Sequence, residues 1–333
     1  MNAITKKRSL GQFFTKNHFW LKAHILDFIT STNRETIVDP YAGGGDLLQV
    51  AKKLGFRETI GFDIDKSLPW EINDSLISIP KIKNSLIITN PPYLTNYSAK
   101  RKKIFNNVKK YFESCAYDDL YQLAIEKSMA SSDFGVMIIP ETFINSSFPK
   151  NRLHSITVIE DLMFHDTETP ICVICFDNEC KSLDKVQVYK NNEYIDNLGH
   201  LEELRKKPKK NTSITFNSVN GQIALRAVDM TTIDKMIQFM KSEELNYDRK
   251  NIKISSRLIT LIDMDIDRDL LLPVITNSNR ILQQYRNETN DLLLSPFKGN
   301  NKEGRRRRRL DYKTARAILE ESIDSISPKH KLF

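Results

Sequence analysis

Seven residues, Ile87-Ile-Thr-Asn-Pro-Pro-Tyr93, constrain this chain more than any other stretch. An apolar run from Leu86 to Ile88 stops at Asn90, and the two prolines that follow can neither donate to a β-ladder nor continue a helix. The run predicts a buried strand ending in a stiff turn. That turn presents the amide of Asn90, the carbonyl of Pro91 and the ring of Tyr93, with Pro92 fixing the path between them. Such a set suits a planar exocyclic amine, whose nitrogen is a poor nucleophile because its lone pair is delocalised. If Asn90 Oδ1 and the Pro91 carbonyl each take one N–H, the pair is localised while Tyr93 stacks on the ring. A purely structural strand-end turn is the alternative, since prolines and turn residues cluster for that reason too.

Upstream, the β-branched segment Thr36 to Val38 runs into Asp39-Pro-Tyr-Ala-Gly-Gly-Gly-Asp46, and a helical pattern follows from Leu47 to Leu54. A strand, a glycine-rich turn and a helix in that order suit a nucleotide-like ligand, because glycine lets the backbone approach and a helix start offers free N–H groups. The spacing departs from G-x-G-x-x-G and lacks the Gly-Lys-Ser/Thr ending of a P-loop, which argues against NAD and ATP. A second strand, Glu58 to Phe62, ends in Asp63-Ile64-Asp65. An acid at the carboxyl edge of a parallel sheet commonly takes ribose hydroxyls. Asp74, in the compressed stretch 66–84, either bonds the amino group of a cofactor's base or belongs to a surface loop.

After Tyr93 the chain turns basic, with Lys100, Arg101, Lys102 and Lys103 close to Phe105, Tyr111 and Phe112. The segment is either a phosphate-contacting loop or a solvated helix face. Asp119 to Met129 has an amphipathic helical pattern, and strands are expected at Phe134 to Ile139, Ile156 to Ile159 and Pro170 to Phe176. Beyond 180 the organisation changes. Arg205-Lys206-Lys207-Pro-Lys-Lys210 reads as an exposed loop or linker, Ser213 to Val228 is compatible with a hairpin turning at Asn220-Gly221, and Thr231 to Leu245 reads as a helix. Arg305, Arg306, Arg307, Arg308 and Arg309 read as a loop or helix entry gripping backbone phosphate, ahead of a helix from Leu310, with an unstructured basic tail as the alternative.

With 50 Lys+Arg against 42 Asp+Glu, the net charge of +8 is compatible with a polyanionic partner. No stretch approaches the roughly 18 to 20 apolar residues that span a bilayer, and Met1 to Arg8 lacks a signal-peptide core, so a cytoplasmic location without membrane attachment is expected. Cys172 and Cys175 lie three apart in a strand-like run and so point to opposite faces, which argues against a shared metal.

Taken together, these motifs resemble those of the S-adenosylmethionine-dependent DNA adenine-N6 methyltransferases. Asn90-Pro-Pro-Tyr93 is similar to their catalytic motif, Asp39-Pro-Tyr-Ala-Gly-Gly-Gly45 to their cofactor loop and Gly61-Phe-Asp-Ile-Asp65 to their ribose-binding acid. Gly11-Gln-Phe-Phe-Thr15 is similar to the segment that closes over the methionine. The motif order resembles the γ group. The resemblance covers about residues 9 to 180. It implies an α/β fold, with a Rossmann-like, mostly parallel seven-stranded sheet flanked by helices over 1–182, and a smaller α+β target-recognition domain over 183–333.

By the same likeness, Asn90, Pro91, Pro92 and Tyr93 are catalytic, with Phe176 a second aromatic wall. Gln12, Phe13, Phe14, Thr15, Asp39, Tyr41, Ala42, Gly43, Gly45, Asp63, Ile64 and Asp74 would hold S-adenosyl-L-methionine, with no metal. Lys100 to Lys103, Lys206, Lys207 and Arg305 to Arg309 would meet DNA. The implied reaction is methylation of a flipped adenine at N6 in double-stranded DNA. It would be carried out by the monomeric modification enzyme of a restriction-modification system, with the restriction endonuclease a separate companion. Three other readings share some of these features. A protein glutamine-N5 methyltransferase typically carries a helical domain ahead of the cofactor loop, and a ribosomal-RNA adenine methyltransferase usually replaces the first proline. A catalytically silent DNA-specificity module would not need Asn90, Gly43 and Gly45 intact.

Overall fold

The computed structural model describes residues 18–160, 169–232, 235–245 and 258–326. Two compact units divide the chain, 1–199 and 200–333.

The first unit is built on a nine-stranded sheet of order β3-β2-β1-β4-β5-β7-β6-β8-β9. Its strands are β1 (Thr36–Asp39), β2 (Glu58–Asp63), β3 (Glu71–Ile72), β4 (Ser85–Thr89), β5 (Gly135–Pro140), β6 (Leu153–Ile159), β7 (Ile171–Phe176), β8 (Gln187–Lys190) and β9 (Glu193–Asn197). From β3 to β5 every neighbour is parallel; β7 is antiparallel to both β5 and β6, and β9 to β8. The sheet is therefore mostly parallel, and two strands wider than the expected seven. Those two, β8 and β9, pair outward from β6 and carry the first unit past the expected boundary at 182.

Alternation along the central strands explains the packing, because successive side chains of a strand face opposite ways. Ile37, Leu86, Ile88, Val136 and Ile138 join one apolar cluster with α1 (Ala23–Ser31) and α2 (Asp46–Lys53), while Val38 and Ile87 face the other side with Phe62. Helix α2 starts where Gly45 breaks into the left-handed region. It carries Asp46 in its first turn and Lys52 and Lys53 in its last, which matches the helix dipole at both ends. Next come α3 (Asn96–Arg101), α4 (Phe105–Glu113) and α5 (Leu120–Ser131). The amphipathic expectation for α5 understates its burial: Leu120 to Ile125 is buried without a break.

After α6 (Leu198–Leu204), the second unit holds a four-stranded sheet of order β10-β13-β11-β12, made from β10 (Ile214–Phe216), β11 (Ile223–Arg226), β12 (Gln238–Lys241) and β13 (Ile259–Met264). It adds α7 (Arg268–Glu288), the hairpin β14 (Ser295–Asn300) with β15 (Arg306–Arg309), and α8 (Tyr312–Ile326). Two expectations fail here and a third is qualified. The hairpin over 213–228 does not form, because β13 lies between β10 and β11 and pairs with both. Part of the helix expected over 231–245 is strand β12, ladder-bonded to β11. The basic run 205–210 is no free linker. Glu320 accepts the Lys209 and Lys210 amides, Glu321 holds Lys206 at 2.7 Å and Asp324 holds Lys209 at 2.8 Å. Among the described residues, no helix is long and apolar enough to cross a membrane.

Candidate active site

Strands β1, β2 and β4 run parallel and end at one edge, at Asp39, Asp63 and Thr89. From Asp39 the chain enters the glycine loop, where Gly43 (φ 50°) and Gly45 (φ 80°) take left-handed conformations that side chains resist. Strand β2 braces this loop. The Ala42 amide donates to the Phe62 carbonyl at 2.9 Å, the Gly43 amide to Asp63 Oδ2 at 2.9 Å, and the Asp65 amide to Asp63 Oδ1 at 2.9 Å. Trp70 locks the loop from its other side. Its indole N–H donates to the Gly43 carbonyl at 2.8 Å. A Cβ added at Gly45 or at Gly61 would lie 2.6 Å from its ring. Gly45 thus needs to be glycine both for its φ and for the space Trp70 fills.

A cavity of about 340 Å³ opens at this edge, within the size range of small-molecule sites. Asp39, Tyr41, Ala42, Gly43, Asp63, Ile64 and Asp74 line it, as do Asn90 and Pro92 from the turn after β4. Sequence reasoning missed a whole wall: Asn107, Val108 and Tyr111 of α4, with Leu94 and Leu120. The signal was present, since Val108, Tyr111 and Phe112 repeat at helical spacing and are buried, but the neighbouring lysines drew the reading toward DNA. Asp74 is tied to this wall, its Oδ2 accepting from Lys110 Nζ at 2.8 Å and the Tyr111 hydroxyl at 2.9 Å. Tyr41 closes the same corner by donating its hydroxyl to the Ser75 carbonyl at 3.1 Å.

Asp39 couples the glycine loop to the Asn90 turn. Its Oδ1 accepts from the Thr89 hydroxyl at 2.6 Å and the Tyr41 amide at 3.1 Å. Burial pushes its carboxyl up to about 7, against those two hydrogen bonds, and the neighbouring charge of Asp63 adds to the push. An unfolded aspartate ionises near pH 4. Between that pH and about 7 the folded state holds a proton the unfolded state has lost, so this residue makes stability fall as pH rises through the window. Asn at this position keeps an oxygen for both donors and does not titrate. Asp39→Asn is therefore expected to flatten the slope of melting temperature against pH between about 4 and 7; an unchanged slope rules the coupling out.

Residues 14–164 match the Eco57I restriction-modification methylase family. Two relatives from Haemophilus influenzae, the Type II methyltransferases M.HincII and M.HindII, are each 28% identical over 209 residues. The alignments cover 55% of this chain but only 40% and 39% of those proteins, so the chain spans about two fifths of their length. A solved structure of the methyltransferase subunit of a type I restriction-modification system from Streptococcus thermophilus superposes with a TM-score of 0.37. Its identity is 14%, over 58% of this chain and 52% of that one.

The segment that matches the family model contains the whole cavity wall, which runs from Asp39 to Leu120. Strand β7, outside the match, does not supply the expected second aromatic wall. Its antiparallel register sets Phe176 opposite Gly135, at the start of β5, whereas the cavity edge lies past the end of β5, roughly 16 Å away at about 3.3 Å per residue. Phe176 is fully buried and fills the space a side chain at Gly135 would need, so it is a core residue. Within the turn, Pro91 is buried and Tyr93 is half-buried, its ring packed on the core; neither is among the residues that line the cavity. The Tyr93 hydroxyl stands 2.6 Å from Asn90 Oδ1 and 2.8 Å from the Ile138 carbonyl oxygen; its single proton serves one of them at a time. Gln12, Phe13, Phe14 and Thr15 lie outside the described residues.

The basic candidates divide by exposure. Lys100, Arg101, Lys102 and Lys103 are all exposed at the end of α3 and the turn after it. Lys207 is exposed, whereas Lys206 is held by Glu321. The five arginines are not a loop. Arg306 to Arg309 form β15, and its pleat turns Arg306 (5% exposed) and Arg308 (0%) inward, away from any phosphate.

Proposed function

We propose that this chain is a modification methyltransferase that uses S-adenosylmethionine to methylate N6 of an adenine flipped out of duplex DNA. One observation carries the reading: Asn90 and Pro92 line the same cavity as Gly43 and Asp63. An amine held by the turn therefore lies beside a ligand held by the loop.

The residues present fit the cofactor. Each Asp63 oxygen accepts one main-chain N–H and retains a lone pair for a ribose hydroxyl. Ile64, Leu68 and Val108 give apolar surface for a purine, and Asp74, its Oδ2 held by Lys110 and Tyr111, lines the same cavity. Bound there, S-adenosylmethionine supplies an electrophilic methyl group. Asn90 Oδ1 and the Pro91 carbonyl each accept one N6–H, which draws the nitrogen lone pair out of conjugation and aims it at the cofactor side of the cavity. Tyr93 holds the Asn90 amide through its hydroxyl. The methylated amine is acidic and sheds its proton to water, so no buried base is needed. Flipping costs a few kcal/mol, offset by stacking and edge hydrogen bonds in the pocket. The exposed Lys100 to Lys103 would meet phosphates, and the protein would act as a monomer, with any restriction endonuclease a separate chain.

Expression in a host whose DNA lacks N6-methyladenine, followed by sequencing that detects the modified base, tests this directly. Methylation of one adenine within one short sequence is expected. Folded, cofactor-binding protein that leaves host DNA unmodified would sink the reading, and methyl groups found instead on RNA or on a protein glutamine would replace it.

A further inference from the structure

The second unit carries a device that the five-arginine run conceals. Strands β14 and β15 form an antiparallel hairpin whose tip, 301–305, is closed by its own polar groups. The Asn301 amide donates to the Arg305 carbonyl at 2.8 Å, the Arg305 amide to Asn301 Oδ1 at 2.8 Å, and Asn300 Nδ2 to the Gly304 carbonyl at 2.9 Å. The base of the hairpin is anchored as firmly. The Arg308 amide donates to Asp229 Oδ2 at 3.0 Å, and Arg307 Nε to the Asp229 carbonyl at 2.7 Å. Asp229 is itself buried and gripped by two nitrogens of Arg286, each at 2.9 Å. What this rigid ribbon leaves in solvent is mainly cationic: Lys298, Lys302 and Arg305 are exposed, with Glu303 the one acid at the tip.

We propose that the β14–β15 hairpin is the element with which this chain enters the major groove of its DNA, Lys298, Lys302 and Arg305 making the contacts. The inference rests on the DNA reading given above. The major groove admits β-structure. Residues 227–231 run along the outer edge of β15, the Asp229 amide donating to the Arg308 carbonyl and the Lys302 amide to the Thr231 carbonyl at 3.0 Å each, so it is the exposed face and tip of the hairpin that are presented to the groove. Lysine and arginine serve there both for phosphates and for guanine edges. Pre-closure of the tip by Asn300 and Asn301 means little order has to be imposed on binding. The same pleat that removes Arg306 and Arg308 from solvent makes the ribbon stiff. The consecutive arginines are thus divided between holding the hairpin and, through Arg305, meeting the nucleic acid.

The test uses the full chain and a mixed-sequence DNA duplex, with dissociation constants measured by fluorescence anisotropy over a range of salt. Replacing Lys298, Lys302 and Arg305 together by alanine is expected to weaken binding about tenfold to a thousandfold. It should also lower the slope of log affinity against log salt by about 2 to 3, near 0.9 per lost phosphate contact. Cofactor affinity should not move. The reverse change, Glu303→Lys, is expected to tighten DNA binding severalfold and to steepen the slope by about 1, a gain that misfolding cannot produce. Unchanged affinity and slope in both variants overturn the hairpin assignment while leaving the methyltransferase reading intact. Wild-type protein that neither binds nor methylates duplex DNA overturns that reading instead.

Discussion

Asn90→Ala is expected to lower methyl transfer by about 10² to 10³-fold or more, the usual cost of removing one oriented polar group from a reacting centre, and to leave cofactor affinity within about twofold. The asymmetry follows from where Asn90 sits. It lines the cavity, whereas the Ala42, Gly43 and Asp65 amides are all held from β2. Its backbone position is set independently, by the prolines that follow and by Thr89, whose hydroxyl is fixed on Asp39 at 2.6 Å. Alanine therefore removes one acceptor for the amine and leaves the turn standing. Incorporation of labelled methyl into DNA, measured beside a calorimetric titration with S-adenosylmethionine, separates the two effects. Near-normal turnover would refute the role given to the amide. Turnover and cofactor binding lost together would show that the turn serves the loop instead.

The part of the fold that holds the cavity was legible because its local signals agree with its tertiary partners. Thr36 to Val38, Glu58 to Phe62 and Leu86 to Ile88 are short apolar strands stopped by glycine, aspartate or proline, and burial on both faces of a parallel sheet asks for such runs. Strands β8 and β9 were missed because Gln187-Val-Tyr-Lys190 and Glu193 to Asn197 lie at the sheet margin. Half-exposed polar residues there resemble a linker. In the second unit a strong local signal misled. Asn220-Gly221 is a favoured hairpin dipeptide, yet a Cβ at Gly221 would lie 2.6 Å from the main-chain nitrogen of Ile262. That glycine admits β13 between the two strands it seemed to join. Phe176 failed for a similar reason, since only the register of β7 against β5 reveals which end of the sheet it occupies. Trp70 was invisible because its function is shape, filling the space that Gly45 and Gly61 leave.

Asp63 offers the second large effect, and the more discriminating one. Its two carboxylate oxygens accept main-chain N–H groups from opposite sides, Gly43 at 2.9 Å and Asp65 at 2.9 Å, and it is 8% exposed. Each is a hydrogen bond to an ionised acceptor, worth about 1.5 to 3 kcal/mol. Losing their hold on the loop together with the ribose contact is expected to weaken S-adenosylmethionine binding about a hundredfold in Asp63→Ala, with 1.4 kcal/mol for each factor of ten. The sharper comparison is Asp63→Asn, which keeps the shape. An amide has one acceptor oxygen, and its other end carries two donors, so whichever way it turns, one of the two main-chain N–H groups faces an NH₂. Asn should therefore be nearly as damaging as Ala for cofactor affinity, measured by calorimetry at neutral pH. Removal of the charge should also let the Asp39 carboxyl fall from about 7, because Asp63 contributes to raising it. The stability slope between pH 4 and 7 that Asp39 produces would then shrink, by the same linkage that creates it. Full cofactor affinity in Asp63→Asn would mean that the carboxylate is not the bridge between β2 and the glycine loop. The preformed shape of the cavity would then have to come from Trp70 and from the main-chain bond between Ala42 and Phe62.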